Sequence, residues 1–362
     1  MTLSIRFRTL ELGLRDPFVI ARATHGEGRR ITTVIAELRD DADGPDGPVG
    51  LGEGYPDSYY GDTPETMRAV APLLLEAIAS VEAGLRGSLA EARAALAATE
   101  GLMADVVSHH GAAKCAIDTA LHDLVGKRLG IGIRELIDLP GVLPPTDFTL
   151  GIDEPAVVAG RATRAADFPA LKIKVGGSSD METLRAVRAV YGGPIRVDAN
   201  TGWTPEGAVA LIPELQALGV ELIEQPFPAR RLDQLRWLQA RSPLPIVADE
   251  SAVTSEDLDS LVGVVHGVNV KLAKVGGIAP ARRMLQRALD MGFRTFLGCM
   301  EETSVVIAAS AAVSPLAEWA DLDGCLLLAD DPVRGLSIGA DKRWRLADAP
   351  GLGLELDPAF RP

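Results

Sequence analysis

From about residue 147 the chain settles into one rhythm, a short apolar run followed by a polar and apolar alternation of helical period. The runs are DFTLGI, LKIKV, IRVDAN, ELIEQP, PIVADE, GVNVKLA, RTFLGCM and WADLDG. Stretches such as METLRAVRAVYG and APARRMLQRALDMG lie between them and end on the glycine that often closes a helix. Eight strands alternating with helices predict a parallel (β/α)7β-type TIM barrel rather than an open sheet. Residues 1–125 differ. They open with alternating strands (ITTVIAEL, then GLGEGYP) and continue into helical runs ending in GAAKCAIDTALHDLVGKRLG, which predicts an α+β capping unit. The barrel is expected over residues 126–325. Residues 326–362, punctuated by Gly and Pro, are expected to pack back on the cap.

Composition fits a globular chain. Of 362 residues, 47% are apolar and 24% charged, and no apolar run approaches the length of a membrane span. The first residues alternate like a strand and lack the apolar core of a signal peptide. Net charge is −14, with no basic run longer than a pair, which argues against nucleic acid as a partner. Cys115, Cys299 and Cys325 are far apart with no CxxC spacing, so neither a zinc site nor a disulfide framework is expected, and a reducing cytoplasm fits.

The polar residues at the C-terminal ends of the predicted strands change the picture, because barrel active sites are built at that end. Strand two carries Lys172 and Lys174, strand three ends in Asp198 with Asn200 following, and strand four ends in Glu224. Strand five ends in Asp249 and Glu250, and strand six carries Lys271. From Lys174 to Asp198, Glu224, Asp249 and Lys271 the intervals are 24, 26, 25 and 22 residues, one βα unit each, so these five occupy equivalent positions on successive strands. Three carboxylates then converge with nothing between them, which is repulsive unless a hard cation sits there; Mg²⁺ is the natural candidate. Strands two and six are opposite in a barrel of eight, so Lys174 and Lys271 face one another across the mouth. Two bases on opposite faces of a carbon, beside a cation, describe proton removal from one face and return to the other through an enediolate. Lysine acts as a base near neutral pH only when its pKa falls well below about 10.4. Desolvation, a neighbouring ammonium and a divalent cation act in that direction, which gives Lys172 its place beside Lys174.

The motifs KIK, DANTGW, EQP, ADES and VKLAKVGG, spanning Lys172 to Gly277, resemble the enolase superfamily, muconate-lactonising subgroup. The resemblance implies Lys174 and Lys271 as the acid/base pair, Lys172 as their helper, and Asp198, Glu224 and Asp249 as Mg²⁺ ligands flanked by Asn200 and Glu250. Lys274, expected on the other face of the strand or in the next loop, receives no chemistry.

Two further segments narrow the substrate. ADLDG places Asp321 and Asp323 two apart on strand eight, a pair of acids suited to a cationic group. With GCM (Gly298 to Met300) on strand seven, it is similar to the dipeptide epimerases of the superfamily, in which the Asp pair binds the α-ammonium of a dipeptide. The N-terminal segment PFVIARATHGEGRR matches the loop that closes over the site in those enzymes, making Arg22 and His25 candidates for a side-chain carboxylate. GEGYPDSYYGDT has the composition of a second mobile lid, with Tyr55, Tyr59 and Tyr60 against the site. The expected reaction is inversion at Cα of the C-terminal residue, L-Ala-L-Glu to L-Ala-D-Glu, in an enzyme that self-associates. An N-acylamino acid racemase, an o-succinylbenzoate synthase or a cycloisomerase shares the fold but has no need of the DLD pair. An acid-sugar dehydratase would use a His base, and the only barrel His, His266, precedes strand six. A barrel kept only as a scaffold would have lost some of the six chemical residues.

Overall fold

A computed structural model describes residues 2–24 and 29–361. The chain opens with a three-stranded antiparallel sheet of Leu3–Gly13, Arg30–Asp40 and Gly50–Gly54, with Arg30–Asp40 in the centre. Along the end of the first strand Leu10 and Leu12 are buried while Glu11 between them faces outward, the alternation of a sheet covered on one side. The covering layer is helical: Pro64–Ile78, Leu89–Val106 and Gly111–Leu129. The last of these is buried on all sides from Ala112 to Gly126, including a stripe of Lys114, Asp118 and His122 at i, i+4 spacing.

The contact between this helix and the third strand explains the glycines of GLGEG. A Cβ on Gly50, Gly52 or Gly54 would lie less than 3 Å from the carbonyl oxygen of Ala120, Ala116 or Ala112, respectively. Alternate strand positions are spaced about 6.6 Å apart and helix positions i and i+4 about 6 Å, so three glycines meet three successive turns of one helix. Gly52 and Gly54, read from composition as part of a mobile lid, are therefore buried strand residues. Glu53 between them points the other way. Its carboxylate accepts from Thr33 Oγ1 (2.7 Å), Thr303 N (2.9 Å) and Thr303 Oγ1 (2.6 Å), tying the sheet to the barrel helix Ser304–Val313.

Eight parallel strands follow, in the positions the apolar runs predict: Phe148–Leu150, Leu171–Lys174, Ile195–Asp198, Val220–Glu224, Ile246–Ala248, Gly267–Lys271, Arg294–Gly298 and Trp319–Ala320. They pair in chain order, and a parallel bridge between Thr146 and Ala320 joins the last strand to the start of the first. An apolar cluster of Leu222, Val247, Phe296 and Trp319 fills the barrel interior. Arg196, paired with Asp147, lies 5.5 Å from the Phe296 ring, and the Lys172 ammonium is 5.2 Å from the same ring. The tail returns to the N-terminal unit: Ala329 N donates to Gly13 O, Leu328 bridges Leu14, and Leu352 N donates to Asp123 Oδ1. The helix Gly111–Leu129 runs through residue 125, so the division expected there falls inside a helix. No helix among the described residues is long and apolar enough to cross a membrane.

Because the Gly52 clash is with backbone, which cannot rotate away, Gly52→Ala is expected to destabilise the fold by about 3 kcal/mol, the upper end of overpacking costs. Chemical denaturation checks this. The exposed Gly101→Ala, which meets no neighbour, is expected to leave the midpoint unchanged or raise it.

Candidate active site

The register of the barrel strands sets the site. Lys174 pairs with Asp198, and Asp198 with Glu224, while Asp249 follows the next strand directly. One carboxylate oxygen from each of Asp198, Glu224 and Asp249 lies within 4.8 Å of the others, and all three residues are buried. The space between them is not empty of charge, as the spacing alone suggested. Lys172, 1% exposed, carries its ammonium to 2.9 Å from Glu224 Oε2, 3.2 Å from Asp198 Oδ2 and 2.9 Å from Asp321 Oδ2. Burial works to lower its pKa, but Asp321, Glu224 and Asp198 together hold it well above the usual lysine value. Lys172 is thus a fixed cation. Lys174 meets it on the same atom, 2.7 Å from Asp198 Oδ2, so the two ammonium groups of KIK share one environment.

Across the barrel, Lys271 Nζ is 3.0 Å from Asp249 Oδ2. Burial lowers its pKa and is outweighed, chiefly by Asp249, so the group is held above its ordinary value. A divalent cation on the same carboxylates opposes that pull. The donor set fits such an ion: Glu224 is pushed up to about 7 by burial and then by the charge of Asp198. Among the described residues its Oε2 has no aligned hydrogen-bond donor despite the nearby Lys172, and Asn200 Oδ1 and Glu250 Oε2 are also buried without one. Asn200 Nδ2 donates to Glu250 Oε1 at 3.2 Å, and Asn200 N to Asp198 Oδ1 at 2.9 Å, so both flanking residues border the triad.

Other braces are invisible to strand spacing. Asn269 Nδ2 donates to Glu224 Oε1 at 2.8 Å. Gln225, at a φ of 32°, turns its Oε1 to accept from Asp249 N and Ser251 N. Lys274, given no role by the sequence, is buried with its ammonium on Asp249.

Strand eight stops at Ala320, so Asp321 and Asp323 stand in the segment just past it rather than on it. They still converge, because Thr149 on strand one donates from Oγ1 to Asp321 Oδ1 (2.8 Å) and from N to Asp323 Oδ2 (2.6 Å). Burial raises both acids; Lys172 overrides this at Asp321 and holds it low, whereas burial and the charge of Asp321 push Asp323 well above the carboxylate range. One cation for two acids leaves the pair short of positive charge.

A pocket opens over these groups, with Lys174, Lys271, Asp321, Asp323, Arg22 and Met300 among its walls. Met300 Sδ is 3.9 Å from Lys271 Nζ. Arg22, the candidate for a side-chain carboxylate, has protein partners here: its Nε donates to Glu250 Oε1 at 3.2 Å, a second nitrogen is 3.6 Å from Asp57 Oδ2, and the guanidinium lies over the Tyr59 ring at 4.1 Å. Tyr55 lines the pocket, Tyr59 is exposed and Tyr60 keeps a buried hydroxyl without a partner. His25 lies outside the described residues.

Residues 156–360 match the family model for enolase C-terminal domain-like proteins, and residues 4–138 match that for the mandelate racemase / muconate lactonizing enzyme N-terminal domain. The chain belongs to the enolase superfamily. Among its relatives in the superfamily, the L-Ala-D/L-Glu epimerase of Bacteroides thetaiotaomicron is 42% identical over 246 residues, which span 67% of this chain and 64% of that one. The L-Ala-D/L-amino acid epimerase of Pedosphaera parvula is 38% identical over 92% of this chain and 94% of its own length. In structure, the dipeptide epimerase from Enterococcus faecalis V583 complexed with Mg and L-Leu-L-Tyr superposes with a TM-score of 0.83 at 31% identity, covering 98% of this chain and all of that one. The chain thus stands among superfamily enzymes of the isomerase class.

A divalent cation at about 100 times its dissociation constant is expected to stabilise the protein by about 2.7 kcal/mol. Glu224→Gln, which keeps the shape and removes the charge, is expected to shrink that shift. Thermal unfolding with and without the ion measures both.

Proposed function

We propose that this enzyme is a Mg²⁺-dependent dipeptide epimerase that inverts the α-carbon of the C-terminal residue, with L-Ala-L-Glu and L-Ala-D-Glu as its pair. The observation that carries the reading is the placement of the DLD pair, two buried acids that converge at the pocket wall with, among the described residues, one ion-pair partner, Lys172. A dipeptide α-ammonium would supply the missing charge and could donate to both acids. An N-acylated amino acid or a muconate brings no cation and would gain nothing from Asp321 and Asp323 at the pocket wall.

Asp198, Glu224 and Asp249 would hold Mg²⁺, which supplies positive charge for the substrate carboxylate and for the electrons it takes up on loss of the α-proton. Lys174 then faces one side of the α-carbon and Lys271 the other, since their strands are four apart in a ring of eight. One lysine, as the neutral amine, removes the proton; the other, as ammonium, returns a proton to the opposite face, so the centre inverts. Lys172 stays charged throughout and donates a hydrogen bond beside the carboxylate. Arg22 is the anchor for a glutamate side chain, and to serve it must exchange part of its pairing with Glu250 and Asp57 for the substrate. Self-association, a cytoplasmic setting consistent with three free buried cysteines, and turnover of cell-wall dipeptides complete the reading.

The test is incubation with Mg²⁺ and a panel of L,L-dipeptides in D₂O, followed by mass spectrometry. A single-deuterium gain confined to X-Glu peptides is expected; gain in other peptides instead would retain the chemistry and reject glutamate, and no gain in any dipeptide would reject the epimerase. Lys271→Ala is expected to abolish inversion, by at least about 10³-fold, while solvent exchange from the face served by Lys174 persists. Full epimerase activity in that variant would overturn the two-base assignment.

A further inference from the structure

Lys274 is the most heavily bonded side chain near the triad, and the reaction just described makes no use of it. Its ammonium touches four oxygens: Asp249 Oδ1 at 2.5 Å, Asp249 O at 2.7 Å, Asn269 O at 3.0 Å and Ala252 O at 3.1 Å. An ammonium has three protons to donate, so it is saturated and has none left for a substrate. The residue is 4% exposed and is absent from the walls of the substrate pocket. Burial lowers its pKa, against the pull of Asp249.

These bonds divide the Asp249 carboxylate. Oδ1 belongs to Lys274, and Oδ2 faces Lys271 at 3.0 Å. With Oδ1 fixed, the carboxylate cannot swing, and Oδ2 is the oxygen presented to the triad and to the opposite lysine. The backbone bonds act in the same sense. They join the segment Asp249–Ala252 after strand five to Asn269 on strand six, the strand that also carries Lys271 and whose Asn269 side chain holds Glu224. Two ligands of the triad are therefore oriented from strand six.

The turn that carries Lys274 is itself held by the N-terminal unit. A Cβ on Gly111, the first residue of the helix Gly111–Leu129, would lie less than 3 Å from the carbonyl oxygens of both Ala273 and Lys274. One turn further along, the stem of Lys114 packs on Gly276, and Asp118 Oδ2 accepts from Ile278 N at the start of the next helix. The cap helix thus seats the short helix Leu272–Val275 along its length.

We propose that Lys274 is a positioning residue that orients Asp249 for the cation and for Lys271, and that the cap helix holds it in place to do so. The proposal rests on the metal and two-base assignments above, but its first readout needs no substrate. In Lys274→Met, similar in length and without charge, affinity for Mg²⁺ by titration calorimetry is expected to fall about 10–100-fold, the range for loss of a partner bonded to a metal ligand. Lys274→Arg, which keeps the charge, is expected to recover part of it. In D₂O, exchange from the face served by Lys271 is expected to fall further than exchange from the face served by Lys174, whereas general loosening would lower both alike. Parental Mg²⁺ affinity in Lys274→Met together with an unchanged ratio of the two exchange rates would overturn the proposal. Should the Met variant not fold, the Arg variant is judged by the same two readouts. A parent protein that binds Mg²⁺ yet exchanges no dipeptide would reject the epimerase reading and leave the calorimetric test of Lys274 standing.

Discussion

The structure depends on how buried charge is compensated inside the barrel. Asp198, Glu224, Asp249, Asp321 and Asp323 are all buried, and isolated carboxylates there would cost several kcal/mol each in lost solvation. Four buried lysines answer them: Lys172 stands among Asp198, Glu224 and Asp321, Lys174 on Asp198, and Lys271 and Lys274 on the two oxygens of Asp249. The acids exceed the lysines by one. A site so nearly balanced takes a divalent cation and a substrate carboxylate with little change in net charge, and it has one position, at Asp323, where an added positive charge is favoured outright.

This network also separates the lysines by function although their chemistry is the same. Lys274 is saturated with oxygen partners and stays on the protein side of the site, while Lys172 donates to Asp321 and stands beside Asp198 and Glu224, away from the pocket wall. Lys174 and Lys271 each keep one close carboxylate and line the open pocket, where a proton can move to or from a substrate. The difference is position along one strand and one turn: Lys174 is two positions on from Lys172, and Lys274 is three positions on from Lys271. A strand spacing keeps both ammonium groups on one face, whereas a strand end followed by a helical turn sends the second lysine around to the back of Asp249.

That distinction marks the limit of what the sequence makes legible. Lys174, Asp198, Glu224, Asp249 and Lys271 could be aligned because each sits one βα unit after the last, and a repeated unit converts spacing into position. The barrel strands fell where the apolar runs placed them for the same reason. Residues whose role lies in a bond between units carry no such period. Thr149, Asn269 and Gln225 are ordinary strand or strand-end polar residues until the strands are set side by side, and the protein partners of Arg22 show only once Glu250 and Asp57 are brought against it. VKLAKVGG did hold a signal for the tight turn after strand six, since its two glycines sit at positive φ where that turn ends, but none for the reach of Lys274 to Asp249. The glycines of GLGEG misled in the opposite direction, because close helix packing and loop mobility call for the same residue.

The two structural units are therefore not a catalytic barrel with a detachable cover. The N-terminal sheet is drawn onto the helix Gly111–Leu129 by backbone contact at Gly50, Gly52 and Gly54, and the same helix seats the turn that carries Lys274 through Gly111, Lys114 and Asp118. Glu53, inside that strand, bonds a barrel helix, while Arg22, Tyr55 and Asp57 close one side of the pocket. In the proposed reaction, substrate contact and the bracing of Asp249 both draw on the N-terminal unit, and a shift of that unit relative to the barrel would disturb both together. A barrel strand end supplies acids and bases in register; holding a metal ligand still within a fraction of an ångström needs support from outside the barrel wall, and here the cap helix is placed to give it.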